Sequence, residues 1–291
     1  MATNAQDWNN TVTLGVGGGN LSDGNGEVVF YTLDASGDVS YRSGFVLEYD
    51  LSLLRAEPGD ITGDTDGSMI GLAPRYRFGS GFSAGAYLEN ATVAATGLSI
   101  DTEATSYGLT AGYETGPWSF SAFYGISDTE GALPDGSDVT DYGLGLTYIL
   151  SDRVTLAANT IQTRADTSGG DGDADLYQFA ATYQINQSWG LFGGASFGSV
   201  DTPTEDGDIS TFGIGGSYYF GDTFKVPLTA SLEYARSNLD SSLGDGEMNT
   251  VRFGLTIPLS GSGTYLPLNS VAGGVINSRR SAISSGAVSA F

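Results

Sequence analysis

The chain has 291 residues, with 34 Asp+Glu against 11 Lys+Arg, a formal net charge of −23, and neither His nor Cys. This composition excludes a Ser-His-Asp triad, a thiol nucleophile, a Cys/His zinc site, a disulfide and a histidine pH switch. The acidity argues against nucleic acid as a partner, whereas 44 Gly and 16 Tyr beside few lysines suit a β-rich membrane wall.

No stretch approaches the ~18 consecutive apolar residues of a transmembrane helix. Residues 1–7 have neither a basic region nor an apolar core, so the N-terminus is read as a mature start without a signal peptide. Strict alternation begins soon afterwards. From Tyr31 to Arg42 one parity reads Tyr31, Leu33, Ala35, Gly37, Val39, Tyr41, and the other Thr32, Asp34, Ser36, Asp38, Ser40, Arg42. Period 2 over this length is a strand with one apolar and one polar face. The next segment repeats it, with Phe45, Leu47, Tyr49, Leu51 and Leu53 opposite Glu48, Asp50 and Ser52.

Further along, Tyr107–Tyr113, Tyr142–Tyr148, Tyr177–Tyr183 and Phe212–Tyr218 share one template, each copy starting 35 residues after the last. Such a repeat marks a recurring supersecondary unit, here a hairpin with one short and one longer connection. The pattern predicts 14 strands: 8–18, 29–42, 44–54, 67–78, 81–94, 103–115, 117–127, 139–150, 153–164, 175–186, 188–199, 209–220, 224–237 and 248–260. Short turns fall near Ser43, Gly79, Gly116, Asp152, Gln187 and Asp222, with longer acidic loops at the opposite ends.

These features predict an all-β fold: a transmembrane antiparallel up-and-down β-barrel over 8–260, with short periplasmic turns and longer acidic outer loops. Closure pairs every strand edge, as a bilayer requires. Tyr41, Tyr76, Tyr113, Tyr148, Tyr183 and Tyr218 would ring the short-turn end, and Tyr31, Tyr107, Tyr142, Tyr177 and Phe212 the other. Tyr31 to Tyr41 spans ~33 Å along a strand, or ~25 Å of membrane normal at ~40° tilt. A soluble all-β sandwich would instead place charge on its outer parity.

Repeated hairpins such as Tyr142–Tyr148, with Gly/Tyr-rich strands and Asp/Gly-rich loops, resemble bacterial outer-membrane β-barrels of the porin type, with an alphaproteobacterial flavour. The resemblance covers 8–260. It implies outer-membrane localisation, no enzymatic activity, passive diffusion of small hydrophilic solutes, outer-membrane lipid and lipopolysaccharide as surroundings, and a homotrimer as a candidate assembly.

On the inward parity the expected pore-lining and selectivity residues are Asp34, Asp38, Arg42, Glu48, Asp50, Arg75, Arg77, Glu89 and Arg252. Glu48 and Asp50 are expected to face Arg75, either as a constriction or as a self-neutralising ion-pair network. Acids outnumber bases, so cation preference is expected. Tyr87, Phe123, Phe192 and Tyr219 also point inward and would form an aromatic track in a sugar-type channel. Asp171, Asp173 and Asp175 resemble the first half of a calcium loop but lack its Gly and closing Glu. No cofactor is expected, beyond divalent cations at the acidic loops.

Residues 261–291 differ from everything before them, carrying as their only charges Arg279 and Arg280. This tail is read either as a lumen plug drawn in by the acidic wall or as a periplasmic extension. A closed structural or adhesive barrel working through its loops is the alternative from a different functional class.

Overall fold

A computed structural model describes residues 6–21, 26–59, 63–96, 100–131, 133, 137–168, 170–202, 206–221, 227–242, 244–260, 264–277 and 280. Fourteen strands follow one another: β1 (Gln6–Leu21), β2 (Glu27–Tyr41), β3 (Phe45–Pro58), β4 (Thr65–Arg77), β5 (Phe82–Ala95), β6 (Ile100–Thr115), β7 (Trp118–Glu130), β8 (Asp138–Ser151), β9 (Val154–Thr167), β10 (Gly170–Gln184), β11 (Trp189–Asp201), β12 (Asp206–Tyr219), β13 (Thr229–Ser241) and β14 (Gly246–Pro258). Each pairs antiparallel with its neighbours in sequence, and β1 closes on β14 from Thr11↔Pro258 to Leu21↔Met248. The closed ladder leaves no strand edge to be hydrated.

Alternation decides which side chains face out. Leu109, Leu144 and Ile214 stand exposed on the outer wall, while Thr11, Thr13, Asp34, Ser106 and Thr256 face inward and are buried. At the short-turn end, aromatic rings pair across adjacent strands: Phe82 with Tyr113 at 4.4 Å, Trp118 stacked on Tyr148 at 3.9 Å, and Trp189 with Tyr218 at 4.8 Å. The register brings each pair directly opposite, which is how cross-strand contacts stabilise a sheet.

The turns at that end depend on glycine. Gly44 adopts φ +90, and a Cβ there would stand 2.6 Å from the Arg77 carbonyl oxygen. Left-handed φ and this close approach both demand a residue without Cβ.

The strands are longer than the alternation predicts. At ~3.3 Å per residue, fourteen residues cover ~46 Å, or ~35 Å of normal at ~40° tilt, beyond the ~25 Å apolar band. The excess lies on the long-loop side, so segments expected as loops are strand: β9 and β10, for example, run to Thr167 and from Gly170. The thirteenth strand begins at Thr229, not 224. Phe224 and the turn at Asp222 lie outside the described residues.

Ile214 is 70% exposed between the two aromatic rings. Ile214→Arg is expected to cost about 2–4 kcal/mol, as for a charge at the bilayer midplane. Urea unfolding from lipid vesicles measures this, and a loss below about 1 kcal/mol would place Ile214 outside the hydrocarbon.

Candidate functional site

The lumen wall at the short-turn end carries a linked set of charges. Arg75 on β4 pairs with Glu48 on β3 at 2.6 Å and lies 3.9 Å from Glu114 on β6, which Arg77 approaches at 3.6 Å. Arg75 is opposite Val46 in the register, so Glu48 is its diagonal neighbour on the same face. Asp50 instead folds over Gly71, where there is no side chain. Asp38 accepts from Asn9 Nδ2 at 2.9 Å and Ser40 Oγ at 2.8 Å, and Asp34 accepts from Ser52 Oγ at 2.5 Å. Arg42 sits on the turn after β2, exposed, with no salt-bridge partner among the described residues.

Deeper in the wall, Arg252 on β14 and Glu233 on β13 are register partners joined at 3.0 Å, with side chains 4% and 2% exposed. A second inward network runs across four strands. Ser106 and Ser127 hydroxyls meet at 2.5 Å, and both Ser127 and Thr163 donate to buried Asp141.

After β14 the chain turns back into the barrel from the short-turn end. Thr264 N donates to Thr11 Oγ1 at 3.0 Å and Leu268 N to Thr13 Oγ1 at 3.1 Å. A six-residue helix, α1 (Val271–Ile276), begins at Ser270, whose hydroxyl accepts from Gly273 N at 2.9 Å. This is a serine N-cap. The helix then lies against β9, β10, β11 and β12. Ala272 and Val275 pack there on Ala157, Ala180 and Phe192, while Asn159 Nδ2 donates to the Val275 carbonyl at 2.5 Å. Val271 N donates to Glu233 Oε1 at 3.1 Å, tying the helix to the buried pair. The helix fits because Gly194 and Gly213 present bare backbone; a Cβ on Gly194 would stand 2.8 Å from Ala272 N.

Beyond the helix, Arg280 reaches the opposite wall. Its backbone N–H donates to Glu89 Oε2 at 2.9 Å, and its guanidinium lies 3.5 Å from Glu48 and 3.9 Å from Glu89. The guanidinium carbon also stands 5.5 Å from the Tyr87 ring centroid, within cation–π range. Arg279 lies outside the described residues. Two cavities flank Arg280: one of about 300 Å³ bordered by Asp38, Glu48, Asp50 and Asn277, and one of about 180 Å³ bordered by Arg75, Glu114 and Phe123.

The expected aromatic track is not continuous. Tyr87 meets Phe123 edge-on at 5.9 Å, but Phe192 lies under α1 and Tyr219 pairs with Tyr265 at 4.6 Å. Tyr87 lies against the bare backbone of Gly108 and Gly125, Phe123 against Gly143, and Phe192 against Gly215. The rings line the wall, and α1 and Tyr265 separate them. The calcium-loop expectation is likewise corrected. Asp171, Asp173 and Asp175 lie in β10, where Asp173 pairs with Arg164 at 2.6 Å and Asp175 accepts from Gln162 at 2.7 Å. An extended strand does not wrap an ion, and among the described residues no group of three acidic side chains is placed to hold one.

Sequence reading missed α1, Asn159 and the glycine floor beneath the helix. The available signals were Ser270 ahead of Val271-Ala-Gly-Gly-Val-Ile276 and inward glycines on adjacent strands.

The model of the Gram-negative porin family matches residues 1–168. Comparison with curated proteins found no match. Among solved structures, the chain is similar to an anion-selective porin from Comamonas acidovorans, at TM-score 0.54 and 12% identity over 88% of this chain and 100% of that one. It is also similar to in-vitro folded OmpT, an outer membrane protein of Vibrio cholerae, at TM-score 0.51 and 13% identity over 89% and 99%. A Pseudomonas aeruginosa FadL homologue follows at TM-score 0.50 and 12% identity, over 87% and 90%. At these identities the likeness concerns the fold.

Proposed function

We propose that this chain, which belongs to the Gram-negative porin family and forms an outer-membrane channel, passes small hydrophilic solutes and ions with a preference for cations. The observation that carries the reading is the inward charge balance. Asp34, Asp38, Glu48, Asp50, Glu89, Glu114, Asp141 and Glu233 lie on the inward side, against the four cations Arg75, Arg77, Arg252 and Arg280 among the described residues of the lumen. Wall charges set ion selectivity at close range, so a related fold with anion selectivity in Comamonas does not carry over.

The tail acts in this reading as a plug. Its hydrogen bonds to Thr11, Thr13 and Glu233 and its ion pairs to Glu48 and Glu89 support that role. The outer wall of β6–β11, where Ala111, Ala122, Ala158, Ala181 and Gly193 form a shallow apolar lane, is the surface proposed for a homotrimer. Lipopolysaccharide would surround the outer rim.

Single-channel currents in a planar bilayer under a salt gradient test the reading. The expected reversal potential is cation-preferring, and a chain ending at residue 260 is expected to conduct more than the full chain. Anion preference would overturn the selectivity reading. Absence of current in both chains, with the barrel folded, would favour a closed structural barrel.

A further inference from the structure

Glu48, Glu89 and Tyr87 surround the guanidinium of Arg280. Glu89 is a carboxylate only 1% exposed, set on β5 between the buried ring of Tyr87 and Ala91. Burying a carboxylate is costly unless a cation compensates it. Arg280 brings such a cation to within 3.9 Å of Glu89, with Glu48 on its other side at 3.5 Å. Tyr87 offers its face to the same guanidinium, and the ring is braced edge-on by Phe123 at 5.9 Å. Arg75 already takes one Glu48 oxygen at 2.6 Å. Glu48 is therefore shared by two guanidinium groups, one fixed in the wall and one carried in by the tail.

We infer that Glu89, Glu48 and Tyr87 form a recognition site for a solute bearing a guanidinium group, which Arg280 occupies as the chain's own stand-in. The planar cation matches what the pocket offers: a flat aromatic face and carboxylates on separate edges. When Arg280 leaves, the site loses one positive charge, and a monovalent guanidinium restores it. Solute and tail then compete for one position, so entry of the solute and displacement of Arg280 are the same event. The inference rests on the channel reading for its biological sense, because only an opened bore delivers solute to Glu89.

The test uses full-length Arg280→Ala protein in detergent, with methylguanidinium as probe and its neutral isostere methylurea as control. Thermal unfolding of this variant is expected to shift upward with methylguanidinium and not with methylurea. Wild type is expected to need about tenfold more probe, because its binding-competent fraction is reduced by Arg280. The shift is expected to vanish in Arg280→Ala/Glu89→Gln, or in Arg280→Ala/Glu48→Gln should the first double variant fail to fold. An equal shift with methylurea, or one that survives both double variants, would overturn the site. Planar-bilayer currents on Arg280→Ala separate the two readings. Probe binding without conductance would keep the site and reject the channel, and conductance without binding would do the reverse.

Discussion

Glu233→Ala is expected to destabilise the barrel by about 3–5 kcal/mol, the usual cost of removing one partner from a buried ion pair. Two groups would lose their acceptor together. Arg252 would keep a buried guanidinium without a counter-charge, and the Val271 N–H at the start of α1 would have nothing to donate to. The loss comes mainly from the stranded charge. Hence Glu233→Leu/Arg252→Met, which removes both charges and keeps the volume, is expected to recover most of the stability. Urea unfolding in lipid vesicles measures both variants. A double variant no better than Glu233→Ala would show that the stability lies in the helix contact, not in the charge pair.

The second large effect is expected at Gly194. A valine there would put its Cβ 2.8 Å from Ala272 N and 2.9 Å from the Val271 carbonyl carbon, both backbone atoms of α1. The wall cannot give way readily, because β11 is hydrogen-bonded along both edges, to β10 and β12. The helix, held by a few side-chain bonds and a small apolar patch, is the softer partner. Gly194→Val is therefore expected to unseat α1, raise single-channel conductance several-fold and expose the tail to protease from the short-turn side. Gly216→Ala, where a Cβ meets nothing nearer than 3.7 Å, is the matched control. Unchanged conductance and protection in Gly194→Val would mean that the tail does not obstruct the bore.

Much of this architecture was legible because the bilayer imposes a simple rule on strands: apolar out, polar in. Alternation from Tyr31 to Arg42 and the Tyr-to-Tyr template gave the strand number and the facing of nearly every residue. It failed where the rule lapses. Above the bilayer both faces meet water, so strands such as Asp171–Asp175 show no alternation and read as loop. Arg42 stands one residue past its strand, on the turn. The Glu48–Arg75 pair was accessible because the two residues lie on adjoining strands, whereas Arg280–Glu89 joins positions far apart in the chain and needed the folded tail. The six residues of α1 are too few for helical periodicity to stand out, and they hold their place through tertiary packing, as short helices do.

The inward tail also has a mechanical consequence. A ring of strands resists sliding along its ladders, but its cross-section can flatten with little change in any single hydrogen bond. Residues 264–277 are fastened to β1 through Thr11 and Thr13 and to β9–β13 through Asn159, Gly194 and Glu233, and Arg280 is fastened to β3 and β5 through Glu48 and Glu89. Three anchor points on separate arcs triangulate a hoop in the way that spokes true a wheel. In the plug reading proposed above, the element that narrows the passage also keeps it round, so withdrawing the tail would leave a wall free to become oval under lateral pressure from the surrounding lipid.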